Sequence, residues 1–425
     1  MQVTINALTA IAHEADIEVT HDELLPHFER AYEKYRPKVE LKGFRKGKVP
    51  MPMIRQLYGE AIEHDALDAI ADELYRKAMD EKHIQPVGRP TMVDMDFRRG
   101  ESFRFKIKYE IKPAIKLRKY KGVAVEKPVH AVTDAEVEAE LMMLRRANST
   151  TRETDAVTNA EHTVTADVQE LDESGTPLIG KKTAGARFSL FDETLAPEIR
   201  DALMQAAVGT PVNTRFESTH GDHTHPVHIA ITPTKIEKVE LPPFDDALAK
   251  KITGDKVSSV DEFTRNLRAD IERYWEEQAN AKLKDNIARA IVAEHDFPVP
   301  EALVESLLDS FVEDLKQRSR DRKLPKGFDE KKFRDESRSY AEWQARWMLL
   351  KERIGDAEQL TVTDADMEAM ADAEAGKIGI ERERLLAFYK NSTAATDRLL
   401  SEKIMAFLTD NAKITEKPAV TEPRT

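Results

Sequence analysis

The thirteen residues from Arg36 to Lys48 hold six cations, Arg36, Lys38, Lys42, Arg45, Lys46 and Lys48, against one acid, Glu40. That is a local charge of +5 in a chain whose total is −13. A basic tip on an acidic body is drawn to phosphate or to an acidic protein surface while the rest of the molecule is repelled, which confines contact to one place. Gly43 and Gly47 let the backbone approach such a surface closely, and Phe44 sits among the charges with no evident core to enter. An aromatic beside Arg45 and Lys46 suits stacking on a base or filling a shallow protein pocket. The plainer reading is a solvated loop whose charges keep it soluble.

A second cluster, His220, His223, His225 and His228 with Asp222, sets imidazoles at spacings that can take zinc or nickel. No further group of ligands accompanies it, so it reads as a polar flap at the loop end of a β domain, and no metal or other cofactor is expected. The chain has no cysteine, which removes disulfides, thiolate nucleophiles and thiolate zinc sites together.

The elements that must carry these residues follow from composition and period. A length of 425 residues suggests two to four domains. Charged residues make up 34% of the chain and apolar ones 40%, with only 16 glycines, so long solvated helices and an extended shape are expected. The acidic balance argues against a nucleic-acid coat protein, which would be basic throughout. The first twenty residues lack a basic and then apolar leader pattern, being interrupted by Glu14, Asp16 and Glu18. No apolar run approaches the roughly 18 residues of a membrane span. These features predict a soluble cytoplasmic protein with no membrane partner.

Val3 and Ile5, then Ile17 and Val19, alternate as strands do. A helix is expected from about Asp22, with Pro26 in its first turn and Leu24, Phe28, Tyr32 and Tyr35 as its buried stripe, ending at Pro37. The glycines and prolines of LKGFRKGKVPMPM read as a loop. After Pro52 a second helix buries Ile54, Leu57, Ile62, Leu67, Ile70 and Leu74; QPVGRP breaks the chain, and Phe103, Phe105, Ile107, Tyr109 and Ile111 alternate in a last strand. Residues 1–113 therefore read as an α+β unit.

Residues 114–150 read as a connector whose helix opens through a capping box at Thr133 and Glu136. Residues 151–240, with short alternating runs and a turn at SGTPLIG, read as a small β-rich domain bounded by LPPF. Residues 241–415 read as helical almost throughout, with starts at Ser259, Pro300, Asp329, Thr363 and Glu381, and LLAFYKN running on to MAFLTDN. The Pro- and Thr-rich end, ITEKPAVTEPRT, is expected to fray, with 416–425 a disordered tail. The fold class is multidomain α+β.

The run Gly43-Phe44-Arg45-Lys46-Gly47-Lys48-Val49-Pro50 resembles the ribosome-docking motif of bacterial trigger factor, and it lies between two helices in the N-terminal part as it does in that family. IRQLYGE, KPAIKL, VAVEKPV, VTDAEVEAEL, VPEALVES, LLAFYKN and ITEKP follow in the family's order, so the likeness spans nearly the whole chain and is least clear over 151–240.

The resemblance implies a ribosome-associated chaperone. Its N-terminal domain would dock on the large subunit, protein and RNA, at the exit tunnel. A domain of the FKBP-type peptidyl-prolyl isomerase class would follow, and then an extended helical C-terminal domain with two arms that cradles nascent and unfolded polypeptides. A homodimer off the ribosome stays open. The docking residues it implies are Gly43, Phe44, Arg45, Lys46, Gly47, Lys48 and Pro50.

The isomerase implied by the resemblance needs aromatic groups, because the site holds a proline and favours a twisted imide against a barrier of about 18–20 kcal/mol. Here the chain departs from the family. Val168 stands where an aromatic is usual, and RFSLFDETLAPEIRD replaces the loop that carries glycines and an Ile-Pro-Gly-Phe element, leaving Pro197 with Glu198 and Ile199. Phe188, Phe191, Pro197, Ile199 and Phe216 are the remnant pocket candidates, and single aromatics of this kind more often pack in a core. Weak or absent catalysis is expected.

A chaperone also needs exposed apolar surface ringed by charge. Trp343, Trp347, Met348, Phe388 and Met405 are its candidates, in company with Tyr274, Trp275, Phe311, Tyr389 and Phe407; most would instead join helix to helix. Two other readings stay open: an active peptidyl-prolyl isomerase that the loop merely localises to the ribosome, and an RNA-binding module without chaperone activity.

Overall fold

The computed structural model describes residues 1–220 and 223–419, apart from the side chains of 218–220, 223–225 and 377. The fold divides into two compact units, Met1–Glu126 with Leu283–Thr415 and Lys127–Lys282 with Glu416–Thr425.

The first unit opens with β1 (Gln2–Ala7) and β2 (Ala12–Thr20), then α1 (His21–Tyr35), a 3-10 turn over Arg36–Lys38, α2 (Met51–Glu81), β3 (Pro86–Arg98) and β4 (Ser102–Ile111). The strands form one antiparallel sheet in the order β1-β2-β4-β3. Its register sets Ala15, Ile17 and Val19 opposite Ile107, Phe105 and Phe103, so one alternate set of each strand faces inward. Leu24, Phe28 and Tyr32 of α1 and Ile54, Leu67, Ile70 and Leu74 of α2 close the core over that face.

Three expectations change here. The first helix begins one residue early, capped by Thr20 and Glu23, which leaves Pro26 inside the helix past its first turn. Leu57 is 54% exposed, because it lies on the side of α2 away from buried Ile62, Ala66 and Ile70. QPVGRP does not end the ordered chain: Pro86 starts β3, an edge strand whose register shifts twice against β4. Edge position and bulges tolerate the prolines.

After β5 (Ala124–Val129) comes the second unit. It holds α3 (Asp134–Ala147), β6 (Thr150–Thr154), β7 (His162–Leu171), β8 (Pro177–Ser189), α4 (Pro197–Leu203), β9 (Val212–His220), β10 (His223–Glu240) and α5 (Asp246–Thr253). The strands form one antiparallel sheet, β6-β10-β7-β8 with β9 beside β10. The expected capping box of α3 is present, Thr133 and Glu136 satisfying each other's backbone amides. Leu141 and Leu144 of α3 pack on a small core around Ala249, Val257 and Phe263.

The helix α6 (Val260–Ala293) contributes its first part to the second unit and its last to the first. Its start differs in detail from a simple box: Ser259 Oγ accepts from the Glu262 amide, but the Glu262 carboxylate reaches back to the Ser258 amide. The first unit then continues with α7 (Glu301–Arg318), α8 (Glu330–Ala357), α9 (Asp364–Ile378), α10 (Arg382–Asn391), α11 (Thr393–Asp410) and β11 (Lys413–Pro418).

Two more readings need correction. LLAFYKN does not run on as one helix, since Ser392 is extended (φ −112°, ψ 108°) and its hydroxyl caps α11 by accepting from the Ala395 amide. Residues 413–418, expected to fray, form a strand beside β5, with the Lys413 amide donating to the Val123 carbonyl at 2.8 Å. Val123 and Val125 enter a core with Leu283, Ile287, Ile291, Leu350, Ile404 and Leu408.

Two local features of the first unit carry stability. Gly88 in β3 has φ +72°, and a Cβ there would lie 2.2 Å from Cβ of Ala302 in the first turn of α7, whose amide donates to Glu110 of β4 at 3.0 Å. Asp366 caps α9 at Thr363 and accepts from Lys403 of α11 at 2.7 Å, which pulls its carboxyl down to about 2.

A carboxyl depressed in the folded state adds stability above the unfolded value of 3.8 and loses it as pH falls toward about 2. Discounted for partial exposure, the effect is about 1 kcal/mol. Asp366→Asn is therefore expected to lower the melting temperature at pH 7 by about 2–4 °C. Thermal scans across pH should show that deficit shrinking below about pH 4; a deficit independent of pH would refute this account.

Candidate functional site

The basic loop is fixed at its base and free at its tip. Helix α1 ends at Tyr35 and α2 starts at Met51 behind Pro50, so residues 39–50 must cross from one helix to the next. Val49, directly after the basic run, is completely buried in the core of the first unit, with Val39 and Leu41 half-buried against the same core. Three backbone bonds shape the loop: Phe44 N–H to the Leu41 carbonyl (3.0 Å), Lys48 N–H to Arg45 (2.9 Å) and Gly47 N–H to Val39 (3.4 Å). Gly43 and Gly47 adopt φ of +96° and +75°, and a Cβ on Gly47 would press on Pro37 at 3.4 Å. Glycine is needed at both turns.

Everything that could touch a partner points outward. Lys42, Gly43, Phe44, Arg45, Lys46, Lys48 and Pro50 are exposed, and Phe44 leaves 40% of its surface in water. The side chains of Lys42, Arg45 and Lys48 make no hydrogen bond or ion pair among the described residues. Lys46 differs: it pairs with Glu40 at 2.5 Å, and the ammonium holds that carboxyl below its usual range. The Tyr58 hydroxyl of α2 donates to the Glu40 carbonyl at 3.4 Å. Such a loop can take an anionic, hydrogen-bond-accepting surface, and Phe44 can add apolar contact. Val49 was not singled out from the sequence, where an apolar residue at the end of a charged run was the available signal, and Glu40 was read there only as the run's one acid.

Behind the loop, buried Glu63 of α2 accepts from the Tyr32 hydroxyl and from Arg99 at 2.7 Å. Burial and the Glu63 carboxylate push the Tyr32 phenol up to about 12. The group ties α1 to α2 near the loop.

In the β-rich unit, Ile199 is buried in one hydrophobic core with Val164, Ala166, Leu203, Ile231 and Ile236, and Val168, Phe188 and Phe216 are half-buried against it. Phe191 and Pro197 do not join it. The Arg146 guanidinium lies 4.6 Å over the Phe191 ring, and Pro197 is exposed at the first position of α4. Asp167 accepts from Lys182 and from the Gly185 amide, which holds its carboxyl below the usual range.

In the C-terminal helices, Met348 and Phe388 are exposed, at 41% and 60%. Trp343, Trp347, Met405 and Phe407 are half-buried against the core that contains Ile287 and Leu350. Phe311, Tyr340 and Trp343 form a row of rings with centroids 5.8 Å apart at each step, and Arg289 lies 5.0 Å over Trp343. Tyr389 is buried and donates to Glu374; Tyr274 is exposed, with Trp275 packed on His130.

Of the histidine cluster, the side chains of His220, His223 and His225, and all of Asp222, lie outside the described residues; His228 Nδ1 lies 3.1 Å from the Asp172 carbonyl oxygen. No described helix is long and apolar enough to cross a membrane.

Comparison with known proteins gives concordant matches. Residues 1–144 match the family described as Bacterial trigger factor protein (TF), and residues 259–410 match Bacterial trigger factor protein (TF) C-terminus. Curated relatives include the trigger factor of Salinibacter ruber, 27% identical over 440 residues with 98% of this chain and 95% of the relative covered. That of Chlorobium phaeobacteroides is 29% identical over 423 residues, with 98% of each chain covered. A solved structure of the trigger factor chaperone, from work on promiscuous substrate recognition in folding and assembly, superimposes with a TM-score of 0.51 at 17% identity, covering 96% of this chain and 99% of that one. That likeness extends to the fold.

Proposed function

The chain belongs to the bacterial trigger factor family, a family of chaperones, and from that premise we propose that its basic loop docks it on the large ribosomal subunit where new polypeptides emerge. The observation that carries this reading is the contrast within one short run: Val49 is fully buried while Phe44, Arg45 and Lys48 face solvent. A loop kept only for solubility has no need of a buried anchor and two glycines in the left-handed region. An anchored loop presents its cations in one geometry, which limits the ordering cost when they meet a fixed surface of phosphate and acidic protein.

The proposed division of labour assigns docking to 1–113, connection to 114–150, an FKBP-like domain to 151–240 and client shielding to 241–415. Exposed Met348 and Phe388, set among charged residues, would meet unfolded segments in the cytoplasm, with half-buried Trp343, Trp347 and Met405 beside them. Adaptable Met and aromatic side chains suit many partners. The isomerase activity is read as weak or absent because Ile199 is buried in the core of its own unit, Phe188 and Phe216 pack half-buried against that core, Phe191 is covered by Arg146 and Val168 supplies no ring.

One experiment addresses both halves of the activity. A denatured protein whose slow refolding phase is set by a prolyl bond is diluted into buffer with and without the full chain. Aggregation is expected to fall as the chain approaches a molar excess, while the rate of the slow phase changes by less than about twofold. Turnover at catalytic amounts would favour the active-isomerase reading, and unchanged aggregation would remove the chaperone reading.

A further inference from the structure

We propose that Glu40 restrains docking by holding Lys46, so that the loop meets its anionic partner one cation short. The inference rests on the docking reading and concerns how tightly the loop binds.

Glu40 is the single acid in the basic run. The Gly47 amide donates to the Val39 carbonyl, and this bond closes the loop at its base, bringing residue 40 on one limb beside residue 46 on the other. Lys46 Nζ reaches Glu40 Oε1 at 2.5 Å, and both side chains remain about two-thirds exposed, at 64% and 68%. The Glu40 backbone is tied to α2 through the Tyr58 hydroxyl, so the carboxylate stays with the rigid base rather than with the tip. Lys42, Arg45 and Lys48 have no such competitor among the described residues.

The pair is weak as a stabiliser of the fold, because exposed ion pairs contribute little. Its effect falls on binding. An approaching phosphate must displace the Glu40 carboxylate from Lys46, or else leave Lys46 aside and tolerate a negative charge beside the contact. Both routes lower affinity, and the second also removes one phosphate contact from the salt dependence. A chaperone that must leave the ribosome to serve the next chain gains from such a restraint.

The test compares full-length wild type with Glu40→Gln in co-pelleting with purified large ribosomal subunits over a range of potassium chloride. Glu40→Gln is expected to bind about 3- to 10-fold more tightly at low salt. The plot of log affinity against log salt should steepen by roughly 0.7–0.9, the value of one added phosphate contact. Lys46→Gln is expected to cost less than Arg45→Gln in the wild type, and to cancel the whole gain in the Glu40→Gln background.

Equal affinity and slope for wild type and Glu40→Gln would overturn the proposal. Joint replacement of Phe44, Arg45 and Lys46 by alanine separates the two levels. Loss of pelleting in that variant, together with no response to Glu40→Gln, removes the restraint alone. Undiminished pelleting removes the docking reading itself.

Discussion

Replacing Phe44, Arg45 and Lys46 together with alanine is expected to weaken binding to large ribosomal subunits by roughly 60- to 700-fold at near-physiological salt, with the fold intact. The magnitude comes from two sources. Phe44 already hides part of its ring, so covering the remaining 40% is worth about 1 kcal/mol, a fraction of the roughly 1.5–3 kcal/mol for a full aromatic. Arg45 is an unpaired cation free to make charge-assisted hydrogen bonds worth about 1.5–3 kcal/mol against an anionic oxygen. Lys46 adds less, being shared with Glu40. The total of about 2.5–4 kcal/mol gives the stated range at 1.4 kcal/mol per tenfold. Because all three side chains are exposed and Val49 keeps its place in the core, the melting temperature should shift by no more than about 1–2 °C. Sedimentation in moderate salt decides the matter: a variant that pellets like wild type has no docking loop at 43–50.

The second large effect lies where β3 meets α7. Gly88→Ala is expected to lower the stability of the first unit by about 2–4 kcal/mol, combining overpacking with a strained backbone. The new methyl would have to occupy space 2.2 Å from Cβ of Ala302, and φ of +72° disfavours any side chain. Relief by rotation is impossible, since both groups are methyls fixed to their backbones. At about 2–4 °C per kcal/mol, the melting transition should drop by roughly 4–16 °C. Gly100→Ala is the control, with φ +80° but no atom within 4 Å of the added Cβ, so it carries only the backbone cost of about 1 kcal/mol. Equal effects at the two glycines would show that β3 and α7 yield freely, contrary to the packing described.

Local rules were enough to find elements whose residues interact with near neighbours. Phe103, Phe105, Ile107 and Tyr109 alternate because one face of β4 is buried, and Thr133 with Glu136 forms a capping box visible in four letters. The loop at 39–50 was legible from its glycines and prolines. The sequence was misleading where distant chain decides. β3 was hidden by Pro86 and Pro90, which read as breaks although an edge strand with two register shifts accepts them. Leu57 fits an apolar helix yet faces water, because membership of the buried stripe depends on the angle around α2. The break at Ser392 carries no glycine or proline to mark it.

The site was read unevenly for the same reason. The cations of the loop announce themselves by composition, but the pairing of Lys46 with Glu40 depends on the loop closing between residues 39 and 47. Phe188, Phe191 and Phe216 look alike in sequence; two pack half-buried against the core of the sheet and the third lies under Arg146.

The interrupted build of the first unit bears on its own synthesis. Val123 and Val125 complete their packing only with partners as far along as Ile404 and Leu408, and β5 has no neighbour until residues 413–418 exist. Translation proceeds from the amino end at about 5–20 residues per second, so these valines wait, uncovered, for some tens of seconds. The sheet of β1 to β4 can close early around its own helices, yet the core around Val123 and Val125 stays open until residues 404–418 have been made. A chain proposed to guard unfinished polypeptides passes through that state itself.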